Sequence, residues 1–118
     1  MDTENKKIQV IRIKTPKRSE HMIDKIKTYL SIYSIMKGVR INETEIIILA
    51  AFITEGISRE TKNNLLKNKV VKNENVLSNN LSKMRGKGLL CKEGYKEIVN
   101  PDFRIDYSKP ILWEVILG

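Results

Sequence analysis

Residues 46–53, "IIILAAFI", are apolar without interruption, and they are bounded by polar residues that start and stop a helix. Asn42 stands where it can cap such a helix, and Glu45 follows three residues on, the spacing of a capping box. Gly56 ends the run. A helix that is apolar nearly all the way round has no solvent face, so other elements must cover it on several sides. The rest of the chain therefore has to be read as what surrounds this helix.

On the N-terminal side lie a strand and a helix. "KKIQVIRIK" (6–14) is dominated by β-branched residues and is read as a strand ended by Pro16. Ser19 can cap a helix whose Met22, Ile26, Tyr29, Leu30, Tyr33 and Met36 recur at three- and four-residue spacing, up to Gly38. On the C-terminal side, Ser58 caps a short helix through "RETKNNLLKN". The stretch "KVVK" turns the chain, and Asn73 caps a further helix over 74–85. Leu77, Leu81 and Met84 form the inward stripe of that helix, with Val76 beside it. After Gly86 and Gly88 the pattern changes to two short strands turning around Gly94, between Lys92 and Lys96. The chain closes on "ILWEVILG", a β-type run after Pro110.

At 118 residues, 41% hydrophobic and 31% charged, this is one globular domain rather than a disordered chain. No apolar run is long enough to cross a bilayer, and "MDTENKK" lacks the form of a signal peptide. Cys91 is the single cysteine, which excludes an internal disulfide and fits a reducing compartment. A soluble, cytoplasmic protein without a membrane partner is expected.

The net charge of +8 is concentrated in two blocks: residues 6–40 hold 10 Lys/Arg against 2 Asp/Glu, and residues 58–96 hold 10 against 3. Such blocks suit a polyanion-binding surface. They also suit the amino-acid usage of an A/T-rich genome, since Lys (16), Asn (10) and Ile (17) supply 43 of the 118 residues; the six Arg, the better reader of bases and phosphates, are few beside the Lys.

Nothing in the chain points to catalysis. His21 has no triad or metal partner in view, and Cys91 falls where a hairpin strand is half-buried. Glu43, Glu45 and Glu55 sit at the ends of the central helix, where capping and solvation account for them. No phosphate-binding glycine loop and no zinc-type cysteine or histidine cluster is present, so neither cofactor nor metal is expected. The aromatic residues are too scattered along the chain to form a stacking platform.

The order of central helix, short helix, turn, amphipathic helix and hairpin, with "LSNNLSKMRGKGLL" at its heart, resembles the winged helix-turn-helix superfamily over about residues 42–106. In that family's recognition-helix pattern, leucines three or four apart precede Lys/Arg-Gly-Leu and an apolar residue. "YKEIVNPDF" (95–103) is similar to the segment after the wing in some plasmid-type replication initiators. The resemblance implies an α+β single domain over 1–118: a winged-helix core (42–106), an added N-terminal strand-helix (6–40) and a C-terminal strand (107–118).

It further implies that helix 74–85 enters the major groove of double-stranded DNA. With the leucine stripe inward, Asn75, Asn79 and Ser82 point outward and Ser78 and Lys83 flank them. An Asn amide can pair with N6 and N7 of adenine. Lys83, Arg85 and Lys87 would hold phosphates at the helix end, Lys92 and Lys96 would do so on the wing, and Lys62, Lys67 and Lys69 would on the preceding helix and turn. Asn and Ser are equally the residues of a merely solvated helix face. The expected function is a small transcriptional or replication regulator acting as a dimer. The alternative is a structural or assembly component of a virion, for instance of a bacteriophage, that reuses the fold. In either case the end segments 6–14 and 111–117 are apolar on more than one face, which an exposed edge does not tolerate. They would pair with each other, or carry a homodimer or larger assembly.

Overall fold

The computed structural model describes residues 9–14, 22–109 and 112–117. They form β1 (Gln9–Lys14), α1 (Met22–Lys37), α2 (Glu43–Glu55), α3 (Arg59–Lys67), α4 (Glu74–Gly86), β2 (Leu90–Glu93), β3 (Lys96–Val99) and β4 (Leu112–Leu117). A single 3₁₀ turn, Pro101–Phe103, follows β3. The fold is α+β, with four helices and two separate two-stranded antiparallel sheets among the described residues. The expected cap Ser19, His21, residues 6–8 of the first strand and Ile111 of the last lie outside the described residues.

The helix boundaries follow the caps read from sequence. Asn42 accepts a hydrogen bond from the Glu45 amide at 2.8 Å, and the Glu45 side chain accepts from the Asn42 amide at 3.0 Å. Ser58 Oγ accepts from Thr61 N and Asn73 Oδ1 from Val76 N, so α3 and α4 begin at the expected positions. The apolar α2 is central: α1, α3 and β3 all pack on it, and Ile48, Leu49, Ala50 and Phe52 are buried. Full burial of a side chain such as Ile48, Leu49 or Phe52 stabilises the fold by about 1.5–3 kcal/mol, so this helix anchors the domain.

Glu45 departs from expectation. It caps α2, but it is fully buried rather than solvated, because the chain leaving α4 brings Lys87 onto its carboxylate. The aromatics also gather despite their wide spacing. Tyr33 packs edge-on against Phe103 at 4.9 Å between ring centroids, and Tyr29 does so against Tyr107 at 5.8 Å. Tyr29 Oη donates to the Asp102 carbonyl and Tyr33 Oη to the Asp102 carboxylate. This cluster fixes the segment after β3 onto α1.

β1 and β4 pair with each other in register, from Gln9 opposite Leu117 to Lys14 opposite Leu112. The second hairpin runs from Leu90 opposite Val99 to Glu93 opposite Lys96. Its two-residue turn, Gly94–Tyr95, has φ of +64° at Gly94, which glycine adopts without a Cβ penalty. No helix among the described residues is long and apolar enough to cross a membrane.

Candidate nucleic-acid interface

α4 carries its apolar residues on one side, with Leu77, Leu81 and Met84 buried. Its opposite side presents Asn75, Ser78, Asn79, Ser82 and Lys83, all exposed. Asn80 belongs to neither set: it is half-buried, and its Nδ2 donates to the Val76 carbonyl at 2.9 Å, inside its own helix. Between α3 and α4 runs an open groove of about 640 Å³. Leu66, Leu77 and Leu81 line it, and Arg59, Lys62, Asn63, Ser78 and Arg85 stand along it with one acid, Glu74. Lys62 is half-buried there, whereas Lys67 and Lys69 are exposed at the end of α3 and in the turn beyond it. Lys69 closes α3 with φ of +58°, its amide donating to the Leu66 carbonyl.

The hairpin β2–β3 sits beside the end of α4 and is tied to it at several points. Arg85 Nε donates to Glu97 Oε2 at 2.5 Å and its Nη2 to Oε1 at 2.9 Å, a two-pronged ion pair between α4 and β3. Asn100 Nδ2 donates to the Gly88 carbonyl at 2.8 Å and its amide to the Leu89 carbonyl. Glu97 is held below the usual carboxylate range chiefly by the Arg85 hydrogen bond. Burial opposes this, and the charges of Arg85, Lys62 and Lys92 add to it. The same bond holds Arg85 more firmly charged.

The expected DNA-contacting residues thus fall into two groups. Asn75, Ser78, Asn79, Ser82, Lys83, Lys92 and Lys96 lie exposed on α4 and the adjoining hairpin. Arg85 and Lys87 were both expected to hold phosphates, and both are engaged within the chain. Lys87 Nζ sits 2.7 Å from the buried Glu45 Oε1 and is withdrawn from the surface that Lys83 occupies. Arg85 keeps 46% of its side chain exposed while paired to Glu97.

Several relevant residues were not singled out by sequence reasoning. Glu97 stands directly across the ladder from Lys92, a register that follows once the Gly94–Tyr95 turn is placed. Tyr95, at the hairpin tip, is fully exposed. Arg59 has no distinguishing sequence signal beyond its place in the first turn of α3. Among the described residues no group of three or more His, Cys, Asp or Glu is placed to share a metal ion. No protein-family model, curated protein or solved structure matches the chain.

Proposed function

We propose that the chain is a DNA-binding protein of winged helix-turn-helix type, a small transcriptional or replication regulator in which α4 reads duplex DNA and β2–β3 is the wing. The observation that carries this reading is the division of α4. A buried Leu77/Leu81/Met84 stripe fixes the helix, and an exposed Asn75/Ser78/Asn79/Ser82/Lys83 face is left facing solvent beside a hairpin bearing Lys92 and Lys96. Short amides and hydroxyls on a helix face can enter the major groove without steric conflict, and an asparagine amide matches adenine. Lysines on either side supply phosphate contacts that position without reading sequence.

Salt dependence of duplex binding tests this directly. Five lysines, Lys62, Lys69, Lys83, Lys92 and Lys96, are available for phosphates. Each contact contributes about −0.9 to the log–log slope, so a slope reaching about −4 to −5 is expected. Absence of salt-dependent duplex binding would overturn the reading.

A second reading is favoured by the β1–β4 ribbon: a component of a multi-subunit assembly, such as a bacteriophage virion. The register sets Gln9, Ile11 and Ile13 opposite Leu117, Val115 and Trp113, all uncharged residues. Arg12 stands opposite Glu114, and Leu112 is 57% exposed. A lone two-stranded ribbon is marginal in water. A twofold copy or a neighbouring subunit would stabilise it. Removal of residues 111–118 is then expected to convert an oligomer to a monomer in sedimentation, and a wild-type protein that is already monomeric would count against assembly through the ribbon.

A further inference from the structure

The end of α4 and the hairpin meet at one carboxylate, Glu97. Arg85 grips Glu97 with two nitrogens, and Lys92 stands opposite Glu97 in the β2–β3 ladder. Lys62 lines the same groove as Arg85 and also acts electrostatically on Glu97. Arg85 pairs with this acid directly, and Lys92 and Lys62 add positive charge from beyond ion-pair distance; the acid is only 15% exposed whereas Arg85 is 46% exposed. A carboxylate and a phosphodiester present the same pair of oxygens to a guanidinium fork.

We propose that Arg85, Lys62 and Lys92 form a seat for a backbone phosphate, and that Glu97 fills this seat in the free protein. Binding then exchanges the carboxylate for a phosphodiester, and Glu97 sets how many other contacts a duplex must make before Arg85 is released. This rests on the duplex-binding reading above and adds to it a residue that restrains binding. Loosely held, non-cognate DNA pays the cost of breaking the Arg85–Glu97 pair with few contacts to offset it. A well-matched site offsets it fully.

The test compares duplex binding across a salt series for wild type, Glu97→Gln, Glu93→Gln, Arg85→Ala and the Arg85→Ala/Glu97→Gln double variant. Glu93 provides the control for charge alone. It lies on the same hairpin, opposite Lys96 in the ladder, is 70% exposed, and pairs with Arg104 at 3.8 Å. Glu97→Gln is expected to tighten binding by about tenfold across the salt series with the slope unchanged, because the same phosphate is seated in both proteins. Glu93→Gln is expected to change affinity by less than about twofold, in keeping with a screened, exposed charge. The Glu97→Gln gain must vanish in the Arg85→Ala background.

Equal effects at Glu97 and Glu93, or a gain that survives loss of Arg85, overturn the proposal while leaving the duplex reading standing. No salt-dependent binding by either wild type or Glu97→Gln overturns both. If Glu97→Gln lowers the melting midpoint, Arg85→Ala alone decides: the slope must flatten by about one contact, and an unchanged slope overturns the seat.

Discussion

Lys87 Nζ lies 2.7 Å from Oε1 of Glu45, 42 positions earlier in the chain. The same oxygen accepts from the Asn42 amide, while Oε2 is buried with no hydrogen-bond partner among the described residues. One carboxylate therefore ties the residue after α4 to the first turn of α2, and so sets where the hairpin begins. Removing the cation leaves the acid buried and uncompensated. Lys87→Met is expected to cost about 2–3 kcal/mol, below the range for fully buried pairs because Lys87 is 29% exposed. Glu45→Gln keeps an acceptor for Asn42 and is expected to cost about 1 kcal/mol. The double variant should be more stable than Lys87→Met alone. Urea midpoints measure all three, and the DNA salt slope should be unmoved by Lys87→Met.

That relationship also marks the boundary of what the sequence makes legible. The caps at Asn42, Ser58 and Asn73 act over three residues, and the Leu77/Leu81/Met84 stripe follows from helical period, so both can be read from local order. The exposed face of α4 is the complement of its stripe and is legible for the same reason. A cation's partner is set by how elements pack, and nothing local distinguishes Lys87, which turns inward to Glu45, from Lys83, which stays in solvent. Arg85 and Glu97 meet only because the hairpin folds back on α4. The tyrosines and phenylalanine around Asp102 are scattered in sequence because α1 and the segment after β3 lie some seventy residues apart; the Tyr29–Asp102 hydrogen bond spans 73 positions.

Lys69 offers a test in which stability and binding move in opposite directions. Its φ of +58° places a side chain in the left-handed region, which costs roughly 1–2 kcal/mol relative to ordinary backbone and nothing comparable for glycine. Glycine also loosens the unfolded chain, which offsets part of the gain. Lys69→Gly is expected to stabilise the fold by about 0.5 kcal/mol, read from urea unfolding. If Lys69 meets a phosphate, the same variant flattens the duplex salt slope by about 0.9. A more stable protein with an unchanged slope would remove Lys69 from the interface.

The tyrosine cluster makes stability depend on alkaline pH. Tyr107 Oη donates to the Phe103 carbonyl at 2.8 Å, and burial pushes its pKa well up, with the Tyr29 charge adding to this. Burial likewise raises Tyr29 and Tyr33, each assisted by Asp102. The folded protein thus keeps these protons at pH values where the unfolded chain has released them. The resulting stability is fully present below about pH 10, the ordinary tyrosine value, and is lost as pH rises above it. Urea midpoints should hold from pH 8 to about 9.5 and fall steeply by pH 11. Tyr107→Phe is expected to cost about 1 kcal/mol at neutral pH and to make that alkaline fall shallower. An equally steep fall in the variant would assign the effect to other groups.

Asn79 and Lys83 separate reading from holding on α4. Both are exposed, four residues apart, and neither supports the core formed by Leu77, Leu81 and Met84, so truncating either should leave the melting midpoint within a degree or two. Asn79→Ala removes an amide able to pair with one adenine. Affinity for the preferred duplex should fall by about 1–3 kcal/mol, while affinity for a duplex changed at that base pair should hardly change. Lys83→Ala should instead weaken every duplex alike and flatten the salt slope by about 0.9. Competition binding with a randomised duplex pool, read by sequencing at two salt concentrations, separates the two effects in one experiment. Base preferences identical in wild type and Asn79→Ala would reduce α4 to a backbone-binding helix. A slope unchanged in Lys83→Ala would take the end of α4 off the DNA.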